Sequence, residues 1–288
     1  MKDVPVEKTR NIVVVGHAAA GKTTLAEALL HKAGMTTRLG SIEAKNTVSD
    51  SSQEEQERQV SIRAANLFLT YRDHNVFISD TPGYTDFYGE VVAAASVADA
   101  AIVVVDALQG PEVGTQRIWE LLTELQLPRM LVISKLDKEH ADYQRTMEGI
   151  VAAFGAGCVP LTIPVGQQTQ LHGVVNVMGG AAGEADPALF KDSLTKLVEA
   201  IAETDEQLME KYFAEESLSA DEMQPALRAA INAGQVFPVL ACAGAKEIGI
   251  EELLDAIITL APSSADRGAV AVAEGEPLQP QASLPAAA

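Results

Sequence analysis

Cysteine is scarce in this 288-residue chain. Cys158 and Cys242 stand far apart, with no CxxC or Cys/His spacing. That excludes a disulfide framework and a thiolate zinc site, and it makes the reducing cytoplasm the expected setting. Basic residues are few as well: 21 Lys and Arg face 40 Asp and Glu, for a net charge of -19. Such a surface repels phosphate backbones, so free-DNA and non-specific nucleic-acid binding are not expected. Long apolar runs are missing. The most apolar stretch, 91–108, is broken by Asp99 and Asp106 and does not read as a membrane span. IVVV, which follows the charged residues 1–10, is too short for the core of a signal peptide. No internal repeat is visible.

What is present is alternation. The β-branched runs NIVVV (11–15), NVFIS (75–79), AAIVVV (100–105), RMLVIS (129–134) and FPVLAC (237–242) alternate with helix-forming stretches at 22–34, 85–98, 114–126 and 140–154. Apolar strands separated by amphipathic helices predict an α/β fold, a mostly parallel twisted sheet with helices on both faces. Residues 61–73 read as an added edge strand. From 158 to 235 the pattern changes to a small β unit followed by two helices, DSLTKLVEAIAETDEQLMEKYF and SADEMQPALRAAINAG, which predicts an inserted α+β subdomain. Residues 1–157 and 236–262 then form one domain. Residues 263–288, rich in Ala, Pro and Gly, read as a linker or disordered tail.

GHAAAGKT (16–23) follows a strand and opens a helix, the context that a phosphate-binding P-loop requires. Gly16 and Gly21 let the backbone of His17, Ala18, Ala19 and Ala20 curl into an anion nest at a positive helix terminus that also includes Thr24. Lys22 supplies charge to the β- and γ-phosphates, and the Thr23 hydroxyl suits Mg2+. DTPGYTDF (80–87) ends the next strand of the pattern. Asp80 faces the same crevice, where it can hold a magnesium-bound water, and Gly83 can bring its N–H close to a γ-phosphate. SKLD (134–137) ends a further strand. Asp137 can accept from N1–H and N2–H of guanine, whereas adenine would leave the carboxylate unpaired at a cost of about 2–3 kcal/mol. Lys135 would lay its stem along the base. Ser134 stands where NKxD has Asn and offers fewer hydrogen bonds. AGA (243–245) would bring the N–H of Ala243 or Gly244, with Ala245 beside them, near guanine O6. The expected cofactors are GTP or GDP with Mg2+.

These four motifs, in this order, resemble those of a translational GTPase. QEEQERQVSI (53–62) is similar to the first switch segment of elongation factor G, and 104–138 and 238–257 track that family. VPLTIPVG, HGVVNV and ETDEQLMEKYF match its inserted subdomain, and the resemblance points to the divergent elongation-factor-G-like proteins. It implies a P-loop NTPase fold, GTP hydrolysis, switches at 47–62 and 80–90, and the ribosome as partner and activator of a monomeric factor. Ser61 aligns with the switch threonine that ligates Mg2+. Ala19 stands where the family has a P-loop Asp, and Tyr84 where it has the histidine that orients the attacking water. A phenol is a poor base at neutral pH, so slow intrinsic hydrolysis is expected. LAPSS (260–264) matches the family's junction to later domains, so an N-terminal piece of a longer protein is expected. Two rival readings are a GTP-gated binding module that has lost catalysis and a non-translational P-loop GTPase.

The remaining chemistry-bearing residues carry blander expectations. His31, His74, His140 and His172 lack metal spacing, Trp119 reads as near-core, and Cys242 as a buried small hydrophobe. The acidic runs EEQE (54–57) and AETDEQ (202–207) read as solvated faces.

Overall fold

NIVVV forms a strand because its β-branched side chains pack well on a pleated surface and poorly in a helix. In the computed structural model, which describes residues 4–215 and 218–268, this run is the middle of β1 (Thr9–Gly16). It is followed by β2 (Ala65–Tyr71), β3 (His74–Asp80), β4 (Ala100–Asp106) and β5 (Arg129–Ser134). The remaining strands are β6 (Cys158–Pro160), β7 (Thr162–Val165), β8 (Gly173–Asn176) and β9 (Phe237–Ala241). Seven strands form one sheet in the order β2-β3-β1-β4-β5-β9-β6, parallel except where edge strand β2 runs against β3. All seven residues of β4 are buried, as a strand covered on both faces requires.

The first helices are α1 (Lys22–Lys32), α2 (Gln53–Arg58), α3 (Tyr88–Val97), α4 (Val113–Glu124) and α5 (Tyr143–Phe154). Later in the chain come α6 (Pro187–Ala202), α7 (Glu206–Glu215), α8 (Ala220–Asn232), α9 (Ile250–Leu260) and α10 (Ser264–Arg267). α1 packs on α9, and α4 on α5. Trp119 of α4 stacks on Phe154 of α5 at 4.4 Å, with the Arg129 guanidinium 4.1 Å over its ring. No helix among the described residues is long and apolar enough to cross a membrane.

Three expectations need correction. Cys158–Pro160, grouped above with the insertion, is the outer strand of the main sheet, with Cys158 opposite Phe237 of β9. Three residues carry too little pattern to reveal a partner so far along the chain. DSLTKLVEAIAETDEQLMEKYF is two helices: the Asp205 carboxylate accepts from Gln207 and Leu208 N–H and starts α7 afresh. The expected tail begins with α10, whose capping box joins Ser263 and Asp266. Residues 269–288, the rest of that tail, lie outside the described residues. The two-stranded β7–β8 unit and α6 to α8 fill the region expected to be inserted.

Candidate functional site

The parallel register aligns the C-terminal ends of the strands. Val14 pairs with Asp80, Gly16 with Val104, Asp106 with Ser134 and Ile133 with Ala241. β1 lies between β3 and β4, so the chain leaving it emerges where connections run both ways, the place where open α/β sheets form their crevices. Gly16 has to be glycine, since a Cβ there would strike the Val104 carbonyl.

From Gly16 the loop turns through Ala19 (φ 59°) and Gly21 (φ 95°) into α1, whose first turn has no side-chain cap. The amides of Lys22, Thr23 and Thr24 are therefore the unpaired donors of a helix start. The Lys22 ammonium is 6% exposed and donates to the Gly16 and His17 carbonyls at 3.1 and 2.8 Å. Burial lowers its pKa to about 8, against the pull of Asp80 and Asp50. Gly83 packs directly on it: a Cβ there would collide with Lys22 Nζ and lie 2.7 Å from the Ala18 backbone. His17 points aside, with Nε2 3.5 Å from Glu112.

Four oxygen-bearing side chains meet beside this loop. The Thr23 hydroxyl donates to Asp80 Oδ2 at 2.8 Å and lies 3.3 Å from Ser61 Oγ, which donates to Asp50 Oδ1 at 2.7 Å. Burial pushes the Asp80 carboxyl up to about 6, although the Thr23 hydrogen bond and the Lys22 charge oppose it. Its second oxygen, Oδ1, is buried and has no hydrogen-bond partner. An orphaned carboxylate oxygen among two hydroxyls and a second carboxylate is a donor set that suits Mg2+. Among the described residues no three His, Cys, Asp or Glu side chains could hold a metal by themselves. Phosphate oxygens and water would complete the shell, the usual manner of Mg2+. Asp50 was not anticipated. It sits in the polar run TVSDSS, where no period or motif marks it, and only the fold brings it to Ser61.

A second cavity of about 230 Å³ opens between Gly21, Leu39, Ser134, Lys135, Asp137 and Gly244. The Asp137 carboxylate is 8% exposed there. Two expected base contacts come out differently. The Ser134 hydroxyl donates to the Ala20 carbonyl at 2.6 Å, with the Val105 carbonyl a longer acceptor at 3.2 Å, so its one proton goes to the backbone. The Ala243 N–H donates to the Ile248 carbonyl at 2.9 Å, which leaves Gly244 and Ala245 as the candidates in that loop. Lys135, at φ 59°, pairs its ammonium with Asp106 at 2.8 Å and keeps its stem beside the cavity. Tyr84 is 48% exposed in the connection between β3 and α3. A larger cavity of about 650 Å³, between α5, β6 and α6, shares no residue with this site.

EEQE is not a wholly solvated face. Glu55 is 5% exposed and closes a capping box with Ser52, while its Oε1 accepts from Ile62 and Arg63 N–H at 3.0 and 3.2 Å.

A parallel sheet with a glycine-turned anion loop, a buried lysine and a cavity holding a buried carboxylate at its carboxyl edge defines a P-loop NTPase. Residues 7–263 match the family described as the elongation factor Tu GTP binding domain, and the chain belongs to that family. It is a translational GTPase module, and membership implies GTP and GDP as its ligands. The chain is also similar to a protein of Thermus thermophilus known from a crystal structure, at 36% identity and a TM-score of 0.83. That match covers 90% of this chain and 41% of the other, so the present chain spans less than half of that relative's length.

Proposed function

We propose that this chain binds and slowly hydrolyses GTP as the nucleotide module of a cytoplasmic, ribosome-associated factor of the elongation-factor-G type, acting as a monomer. The observation that carries the reading is the meeting of Lys22, Thr23, Asp80 and Ser61 at one end of a cleft whose other end holds Asp137. In this assignment the Gly16–Thr24 amides and Lys22 hold the phosphates, and Asp137 selects guanine. The amides of Gly244 and Ala245 face O6. Thr23 and Ser61 would ligate Mg2+ directly, with Asp80 and Asp50 acting through water. Mg2+ held there would neutralise phosphate charge. Gly83 offers its N–H to the γ-phosphate, and Tyr84 stands where the attacking water would be oriented. A phenol can position such a water but is a poor general base, which supports slow intrinsic turnover. The -19 net charge favours docking through a defined contact over bulk attraction to RNA.

Equilibrium titration with fluorescent guanine and adenine nucleotides in Mg2+ tests the assignment. Guanine should bind more tightly, and Asp137→Ala should cost ~30- to 100-fold for guanine only. Equal binding of adenine would overturn it. Single-turnover hydrolysis with and without ribosomes then tests the partner: no stimulation leaves a GTP-gated binding module.

A further inference from the structure

α1 carries one buried group with no part in the chemistry above. Glu27 lies one turn beyond Thr23, is 1% exposed, and has no ion-pair partner among the described residues. An unpaired buried carboxylate is costly unless donors satisfy it. Here the donors are backbone amides of one loop. Val48 N–H donates to Oε1 at 2.5 Å; burial pushes the carboxyl pKa up, and the Val48, Ser49 and Gly40 amides oppose that shift. Gly40 is built against the same carboxylate: a Cβ there would collide with Glu27 Oε2 and lie 3.0 Å from the Asn46 carbonyl.

That loop, residues 33–52, contains neither helix nor strand, so no ladder of hydrogen bonds holds it. Its two pinned points serve different ends of the nucleotide cleft. Leu39, Gly40 and Ser41 line the base cavity, whereas Asp50, two residues beyond Val48, receives the Ser61 hydroxyl at the metal end.

We infer that Glu27 is a positioning residue, a latch that holds the 39–50 segment over the bound nucleotide and sets how fast that nucleotide leaves. The inference rests on the nucleotide reading above. A single carboxylate grips both ends of the segment, so losing it frees the base cover and Asp50 together. Phosphate and base contacts remain in place without it. The latch therefore governs release much more than capture.

Two measurements on the 288-residue chain test this. Stopped-flow binding and chase of N-methylanthraniloyl-GDP in Mg2+ should show release from Glu27→Gln ~10- to 100-fold faster than wild type, with association nearly unchanged. Gly40→Ala should move in the same direction. A general loss of stability would instead depress association and the thermal midpoint of the nucleotide-free protein. Hydrogen exchange on nucleotide-free wild type should show protected amides at Gly40, Val48 and Ser49. Glu27→Gln should lose that protection while β1 keeps its own. Wild-type release kinetics in both variants would overturn the latch. So would free-chain exchange of those three amides in wild type, an outcome that stands even if the variants do not fold. Failure of wild type to bind the GDP probe would instead overturn the nucleotide reading.

Discussion

The Ser134 hydroxyl donates to the Ala20 carbonyl at 2.6 Å, which bolts the end of β5 to the phosphate loop. Both groups are buried, so Ser134→Ala leaves a carbonyl without a donor and should cost about 1–3 kcal/mol. Urea unfolding of the nucleotide-free protein measures that loss. GDP affinity should fall with it, because the two loops must hold register around one ligand. Unchanged stability would mean that the bond is not maintained in solution.

Tyr84 has little to lose on substitution. It is 48% exposed, so Tyr84→His should change stability by no more than about 0.5 kcal/mol. An imidazole there can both orient a water and accept its proton, and single-turnover GTP cleavage should rise by ~10- to 100-fold. Tyr84→Phe should cleave at or below the wild-type rate. If the histidine variant is no faster, the slow step lies elsewhere.

Gly83 is fixed by contact. A methyl at this position would meet Lys22 Nζ and the Ala18 backbone. Gly83→Ala should therefore weaken GTP binding and cleavage more than GDP binding, because GDP has no γ-phosphate to approach. Comparing the two dissociation constants checks this, and equal losses would contradict it.

Asp80 gives a pH dependence with a definite sign. Its folded pKa of about 6 lies above the reference value of 3.8, so between those values the native state binds more protons than the unfolded chain. In chelator and without nucleotide, this group makes stability rise as pH falls from about 6 towards 4. Asp80→Asn removes that slope and should stabilise the empty protein at pH 7 by on the order of 2 kcal/mol. Loss of the countercharge beside Lys22 offsets part of the gain. The same variant should bind Mg2+–nucleotide poorly. A variant that kept the wild-type slope would place the titration on another group.

Much of this was legible in the chain. The apolar strands, the helix-opening GHAAAGKT and Asp80 at the end of NVFIS are local patterns, written in residues that stand side by side. What was hidden depends on distant pairing. Cys158–Pro160 looks like part of the insertion until Phe237 arrives beside it. Glu55 looks solvated until Ile62 and Arg63 turn their amides on it. Asp50 and Glu27 have no motif, because their partners are a serine hydroxyl and loop amides rather than residues at a fixed spacing. The Ala243 N–H looked available for a base only because its bond to Ile248 closes a loop that the sequence does not announce.

The neighbouring placement of β6 and β9 has an architectural consequence. Adjacent parallel strands need only a crossover of a dozen or so residues, and α8 alone, arriving just before β9, is long enough to supply it. Everything from β7 to the start of α8 is thus a detour that departs from and rejoins the sheet within one strand spacing. Lengthening such an excursion costs only logarithmically in closure entropy and leaves every register of the sheet untouched. Length can change in its outer turns, whereas β7 braces the sheet's carboxyl edge itself: the Ala241 N–H at the end of β9 donates to the Thr162 hydroxyl at 2.8 Å.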